Sequence, residues 1–296
     1  MRCLIRSSML VLFLVFATGA SAHIGEKVFL IFEIADADLG DIEFDGNIED
    51  WEDAVGPPSL LPADMFSDPG VGDGAAYDPA DMDYRVWLAW NQTGNHLYFA
   101  MDRLDNIYVN EYAGGNPGSV WQQDSLEFMV DGDHSGGSYN RNNEDLTAEE
   151  KTRHFNAQAQ KYNFTFDDPE ERYGGYPGPA DWANRVPFLS AFGQSVGSDP
   201  TLSVLEFYVT PFDDLVENED DSRVSPLFPG KVIGLQIAVV DRDAPGEYRS
   251  YQTLSGQPGT FRFAERFVDA RLIGAGGEGT AVKNNSWARI KASFAG

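Results

Sequence analysis

The sequence predicts an all-β protein, an antiparallel β-sandwich of jelly-roll or immunoglobulin-like type with a helical-loop insertion. The first observation is alternation, because apolar residues occupy every second position in residues 97–101 and again in residues 126–130. The second observation is that several short strand-like segments follow one another with turn residues between them. The regular strand and helix alternation of a parallel α/β fold is missing, which favours a sandwich.

Residues 1–22 have the pattern of a secretory signal peptide. Arg2 and Arg6 precede an apolar run at residues 9–16, and Ala20-Ser21-Ala22 provides a small-residue cleavage site. We therefore expect a secreted protein, periplasmic or extracellular, whose mature chain begins near residue 23. The lone cysteine, Cys3, is lost with this segment, so we expect no disulfide or thiolate metal site.

The charge and the hydropathy of the chain argue against two classes of partner. The chain has 47 acidic and 21 basic residues and a formal net charge of -26, which becomes -28 without Arg2 and Arg6. Such a surface repels phosphate backbones and anionic lipid headgroups, so we expect no nucleic-acid partner. No later stretch is apolar enough to span a bilayer, so we also expect no membrane insertion after signal cleavage. Solubility and divalent-cation binding both remain explanations of the charge.

The elements are expected in the following order. Residues 27–34 form a first strand, and Asp45-Gly46 makes a turn before Asn47, a capping-type residue that precedes a short acidic helical turn. Residues 55–82 form a long loop. Residues 83–105 form a hairpin around the turn NQTGN, and a third strand follows at residues 124–131.

Residues 138–200 are expected to project from the sheet as an insertion, because they contain too few apolar residues for a core of their own. Thr147 and Glu150 make a capping box before a helix within this segment. Strands return at residues 202–210, 231–241 and 261–273, which completes one domain over residues 23–273. Residues 274–296 read as a linker and a short tail.

The tail carries Trp287, Ile290 and Phe294 on one helical face. It either docks back on the sandwich or binds a protein partner.

The order of six motifs resembles the family 9 carbohydrate-binding modules and the related DOMON-type sandwiches. The motifs are DGNIEDW, YRVWLAWNQTGNHLYFAMDRLDN, WQQDSLEFMVDGD, LEFYVTPFDDL, KVIGLQIAVVDRD and FRFAERFVDARLI, within residues 41–273 and outside the insertion. The resemblance implies a non-catalytic carbohydrate-binding protein, with a sugar at a glycan end held between two aromatic side chains and with calcium in structural roles.

Carried over by residue, the resemblance implies Trp121 as one aromatic, Glu127 as the carboxylate that binds hydroxyl groups, and Tyr251 beside Arg249 as the second aromatic. Trp182 of the insertion is a further candidate for the site. From the residues alone, Trp121 could equally be a turn aromatic packed on the rim. Glu127 could equally form an internal ion pair with Arg85 or another strand's arginine.

Asp131 and Asp133 are the candidate metal ligands. Their spacing of two residues before a serine and a glycine can surround a hard cation such as calcium with oxygen atoms. A plain acidic turn is the alternative.

Three other functions remain open. A haem-binding DOMON-type module would need axial ligands, for which Met101, Met129, His96, His134 and His154 are available. A glycosidase would need two carboxylates, for which Glu127 and Glu206 share an LEF pattern. An envelope or surface interaction protein could use the same fold without binding sugar.

Overall fold

The computed structural model describes residues 24–68, 71, 76–140, 146–166 and 174–275. The expected signal peptide and nearly all of the expected tail lie outside these residues. The described chain is mostly β-sheet, with two short α-helices, α1 (Glu49–Ala54) and α2 (Ala148–Arg153). None of the helices in the described ranges is long and apolar enough to cross a bilayer.

The strands in the described ranges run in chain order as follows: β1 (Ile24–Glu33), β2 (Phe66–Ser67), β3 (Met82–Asn91), β4 (His96–Asp105), β5 (Ser125–Asp131), β6 (Gln160–Phe164), β7 (Gly174–Gly175), β8 (Leu189–Val196), β9 (Thr201–Val209), β10 (Phe212–Asp214), β11 (Arg223–Val224), β12 (Val232–Asp241), β13 (Ser250–Thr253) and β14 (Val268–Ile273).

Most of these strands belong to one curled sheet. Its order is β7-β6-β5-β12-β14-β1-β3-β4-β9-β8, with β13 paired to β12 and β2, while β10 and β11 form a separate small sheet. Strand β1 is parallel to both β14 and β3 and joins the two halves of the sheet, and the other pairings are antiparallel. The all-β sandwich is therefore confirmed, with a mixed rather than a wholly antiparallel sheet.

The core lies between the two halves of the curled sheet. Phe99 on β4 and Phe207 on β9 stack with ring centroids 4.7 Å apart. From the opposite half, Phe128 on β5 meets Phe207 edge-on at 5.3 Å, and Phe164 on β6 stacks on it at 4.3 Å. Aromatic contacts across the sandwich hold the halves together, and such pairs add stability beyond the area they bury.

The predicted hairpin is present as β3 and β4, which are joined through Asn95 at a φ of 54°. Asparagine tolerates this left-handed conformation better than most residues. The predicted third strand is β5, and it lies across the core from the hairpin because its neighbours are β12 and β6.

The segment 138–200 differs from the expected projecting insertion. Helix α2 and its capping box are present, because the Thr147 hydroxyl accepts a hydrogen bond from the amide of Glu150 at 3.2 Å. The same segment also contributes β6, β7 and β8 to the main sheet. Tyr162, Phe164 and Phe166 are fully buried in the core. The sequence did not predict this strand, because the alternation of these residues with polar residues is short and the polar side chains face a cavity instead of open solvent.

Residues 39–55 cover the outer face of the hairpin half of the sheet. Asn47, the expected capping residue, lies one position before the N-cap Ile48 of α1, and its Oδ1 accepts from the amide of Glu49 at 3.2 Å in a turn that leads into the helix. The buried indole of Trp51 donates to Glu206 on β9 at 2.7 Å, and the amide of Gly46 donates to the same carboxylate at 2.6 Å. A carboxylate on the sheet thus fastens the DGNIEDW motif to the domain.

Candidate functional site

The candidate site is a cavity of about 500 Å³ on the outer face of β13, β5 and β6. Glu127 points to this face because its neighbours Leu126 and Phe128 point into the core. The residues that line it include Trp121, Glu127, Asn140, Phe155, Lys161, Asn163, Pro177, Tyr248, Tyr251 and Phe261. The volume falls within the roughly 300–1,000 Å³ typical of small-ligand sites, and a mainly aromatic wall with a few polar groups is typical of them as well.

Glu127 forms the polar floor of the cavity. Only 2% of this residue is exposed, and its carboxylate accepts from the Lys161 ammonium at 2.6 Å and from the Tyr251 hydroxyl at 2.5 Å. Burial, together with the charge of Glu127, raises the pKa of Tyr251 well above its ordinary value. The ion pair anticipated for Glu127 is therefore formed with Lys161. Arg85, the partner named from the sequence, instead pairs with Glu52 and Asp102.

Two aromatic rings stand at one wall. Trp121 is 37% exposed and lies nearly parallel to Tyr248, with an interplanar angle of 20° and ring centroids 6.3 Å apart. Tyr251 is 3% exposed and meets Tyr248 edge-on at 5.8 Å. The ring that faces Trp121 is thus Tyr248, which the sequence reasoning missed. The available signal was an aromatic residue in the turn between β12 and β13.

Arg242 connects the two rings. Its buried guanidinium donates through Nε and Nη2 to the carbonyl oxygen of Trp121, at 3.1 and 2.6 Å, and lies 3.7 Å from the ring centroid of Tyr248. Its backbone amide donates to Asp124 at 2.9 Å. Burial lowers the pKa of Arg242. This arginine fixes both the loop that carries Trp121 and the turn that carries Tyr248.

Asp105, Asp124 and Asp241 form a buried acidic cluster behind this wall, with carboxylate oxygens within 4.8 Å of one another. Arg103 lies among them and forms ion pairs with Asp105 and, at 2.8 Å, with Asp124. Burial raises the pKa of Asp241 to about 7, against the opposing effect of Arg103. The guanidinium takes the position that a metal cation would occupy, so these residues do not fit a metal site.

The predicted metal ligands Asp131 and Asp133 close a turn. The two carboxylate oxygens of Asp131 accept from the amides of Ser135 and Gly136, at 3.2 and 2.7 Å, and Asp133 accepts from the amide of Ser135 at 3.1 Å. One oxygen of Asp131 and one oxygen of Asp133 accept from the same amide, that of Ser135, so the two carboxylates converge on a backbone donor. In this structure the oxygens close the turn, and calcium binding here stays a prediction.

The other predicted site residues lie apart from the cavity. Arg249 pairs with Asp81 at 3.0 Å and with Asp243 at 3.4 Å. The ring of Trp182 packs edge-on against Phe188, and its indole donates to a backbone carbonyl at 3.2 Å. The structure thus brings Trp121, Glu127 and Tyr251 together and leaves Arg249 and Trp182 outside.

The residues considered for a glycosidase do not form a common site. Glu127 lies in the cavity on β5, whereas Glu206 lies on β9 in the other half of the sheet beneath Trp51.

The haem candidates are also dispersed. Met101 is buried in the main core and Met129 in a separate cluster on the outer face of β5. His96 stacks on Tyr208 at 4.0 Å, and His134 pairs with Asp269 at 2.8 Å.

This architecture is a β-sandwich like that of the family 9 carbohydrate-binding modules (CBM9). A CBM9 from Caldicellulosiruptor kristjanssonii, solved in complex with cellotriose, matches with a TM-score of 0.53 and 14% identity over 88% of this chain and 100% of that chain. A CBM9 from the same organism, solved in complex with glucose, matches with a TM-score of 0.51 and 14% identity over 84% of this chain and 96% of that chain. No family model matches the chain, and no curated protein matches it. The DOMON part of the resemblance stays a prediction.

Proposed function

We propose that this chain is a secreted, non-catalytic carbohydrate-binding protein that holds a sugar or the end of a glycan in the cavity above Glu127. One observation carries the proposal: an aromatic wall with Trp121 at its mouth adjoins a floor formed by Glu127, Lys161 and Tyr251. The fold shared with CBM9 structures supports it further.

The chemistry of the lining suits a sugar. A pyranose has an apolar C–H face and a rim of hydroxyl groups, so it needs flat rings beside charged or amide groups. Two rings that each bury on the order of 100 Å² supply about 5 kcal/mol at about 25 cal/mol per Å². Association and ordering costs offset much of this, so we expect dissociation constants between about millimolar and micromolar.

The lining also supports a role without catalysis. Glycoside hydrolysis by the usual routes needs two carboxyl groups on either side of the scissile bond. Among the described residues that line the cavity, Glu127 is the one carboxylate, and it is engaged by Lys161 and Tyr251.

Calorimetry and tryptophan fluorescence of the mature chain against glucose, cellotriose and other mono- and oligosaccharides test the proposal. We expect saturable binding that Trp121→Ala abolishes. Phe228→Ala is the matched control, because this exposed aromatic residue lies just before β12, at the strand end remote from Tyr248. A folded protein that binds no saccharide would contradict the proposal and favour the interaction-protein alternative.

A further inference from the structure

The wall formed by Trp121 and Tyr248 cannot enclose a sugar between its own rings. Their centroids are 6.3 Å apart. A pyranose between two rings needs a carbon contact of about 4 Å on each side, so the rings would have to stand about 8 Å apart. Tyr251 cannot replace either ring, because it is buried behind Tyr248 and bound to Glu127. If one sugar face lies on Trp121, its other face must meet a different part of the cavity.

Phe261 is the aromatic residue best placed for that second face. It is half-buried and lines the cavity. The Lys161 ammonium lies over its ring, 5.8 Å from the centroid, and the Arg262 guanidinium lies 4.9 Å from the same centroid. The ammonium also binds Glu127 at 2.6 Å. An apolar ring therefore borders the polar floor, which is the pairing that a sugar face and its hydroxyl rim require.

The backbone on either side of Phe261 is held in place. The Tyr139 hydroxyl donates to the carbonyl oxygen of Thr260 at 2.8 Å, and the Asn140 amide donates to that of Phe261 at 2.9 Å. The backbone amide of Tyr139 donates to Arg262 at 3.1 Å. A fixed backbone reduces the ordering cost of binding, as expected of a preformed binding surface.

We propose that Phe261 is a stacking surface of the cavity, which receives the C–H face of a pyranose whose hydroxyl groups reach Glu127 and Lys161. This inference rests on the proposed function. The ligand class is a neutral pyranoside, since the two charged residues that line the cavity, Glu127 and Lys161, form an ion pair with each other.

The test compares variants of the mature chain by calorimetry with the saccharide that binds the wild type most tightly. Phe261→Leu keeps apolar volume but removes the flat ring, and we expect its dissociation constant to rise about tenfold or more. Phe261→Tyr keeps the aromatic ring, so we expect its dissociation constant to stay within about twofold of the wild-type value. That is well below the tenfold change to which 1.4 kcal/mol corresponds. Phe228→Ala again serves as the control, and circular dichroism melting checks that each variant is folded.

The outcomes separate the two proposals. Wild-type binding that Trp121→Ala abolishes and Phe261→Leu leaves unchanged would overturn the role of Phe261 and retain sugar binding. A folded wild type without saccharide binding would overturn both. If Phe261→Leu is unstable, three other variants replace it. The stacking role is supported if Phe261→Trp and Phe261→Tyr keep the wild-type affinity and if Phe261→Ser loses it at a temperature where that variant is folded. Retained affinity in Phe261→Ser contradicts it.

Discussion

Each buried polar group of the site binds specific partners, and through those bonds it fixes a specific piece of backbone. Arg242 joins the loop of Trp121 to the turn of Tyr248, and Glu127 joins β5 to Lys161 on β6 and Tyr251 on β13. A buried donor or acceptor that loses its partner costs about 1–3 kcal/mol. The polar residues of the site thus contribute to its shape as well as to its chemistry.

Glu206 provides a pH prediction at the same scale. Burial raises its pKa from 4.5 to about 7, although hydrogen bonds from Gly46 and Trp51 oppose the shift. Between pH 4.5 and 7 the folded state therefore holds a proton that the unfolded state has lost. The free energy of unfolding should fall as pH rises through this window, by about 3 kcal/mol, and then stay level with respect to this group.

Glu206→Gln removes this titration, because glutamine has the shape of the protonated acid and stays neutral. The amide nitrogen of glutamine cannot accept one of the hydrogen bonds from Gly46 and Trp51, so we expect the variant to be less stable than the wild type near pH 5. We also expect its stability to fall less than that of the wild type between pH 5 and pH 8. Urea denaturation over this pH range measures the difference, with the exposed Glu217→Gln as the control. A variant that follows the pH profile of the wild type would rule out this role for Glu206.

Among the elements, alternation in the sequence predicted β4, β5 and β9, while the hairpin pattern predicted β3 and strand-like composition predicted β12. The sequence did not predict strand β6, because this strand is short and its polar residues face a cavity instead of solvent. In the site, the resemblance suggested Trp121, Glu127 and Tyr251, which all line one cavity, but the sequence reasoning did not identify Tyr248. Only the pairing of β13 with β12 shows which of the two tyrosine rings is buried.

The segment 138–200 gives a prediction for its elements. Phe164 on β6 is fully buried and stacks on Phe207 across the sandwich, so Phe164→Ala should cost about 3–5 kcal/mol. Thr147 caps the exposed helix α2, and Thr147→Ala should cost about 1 kcal/mol. Urea denaturation of both variants compares them directly. Equal small losses would mean that β6 is not part of the cooperative core.

At the scale of the whole molecule, the parallel strand β1 determines how the domain closes. It pairs with β14 on one side and β3 on the other, and so links the half that carries the cavity to the half covered by α1. The cavity lies on the outer face of its half, outside the main core. Changes in its lining can therefore be tested without opening the aromatic core between the halves.

The net charge of the chain predicts that its stability depends on salt. Without residues 1–22 the chain has a formal charge of -28, so repulsion between surface carboxylates opposes the compact state. The screening length falls from about 30 Å at 0.01 M salt to about 10 Å at 0.1 M, so added NaCl should raise the melting temperature of the mature chain. A melting temperature that does not change between these concentrations would contradict this account.

Calcium binding separates from screening when CaCl2 and MgCl2 are compared with NaCl at equal ionic strength. Screening alone stabilises nearly equally in the three salts. A calcium site at the acidic turn would add stability in CaCl2 alone, because a ligand that binds only the folded state raises its stability by mass action. Asp133→Asn would remove that increment and keep the response to NaCl. Equal stabilisation in CaCl2 and MgCl2 would overturn the calcium prediction and leave Asp131 and Asp133 as residues that close the turn.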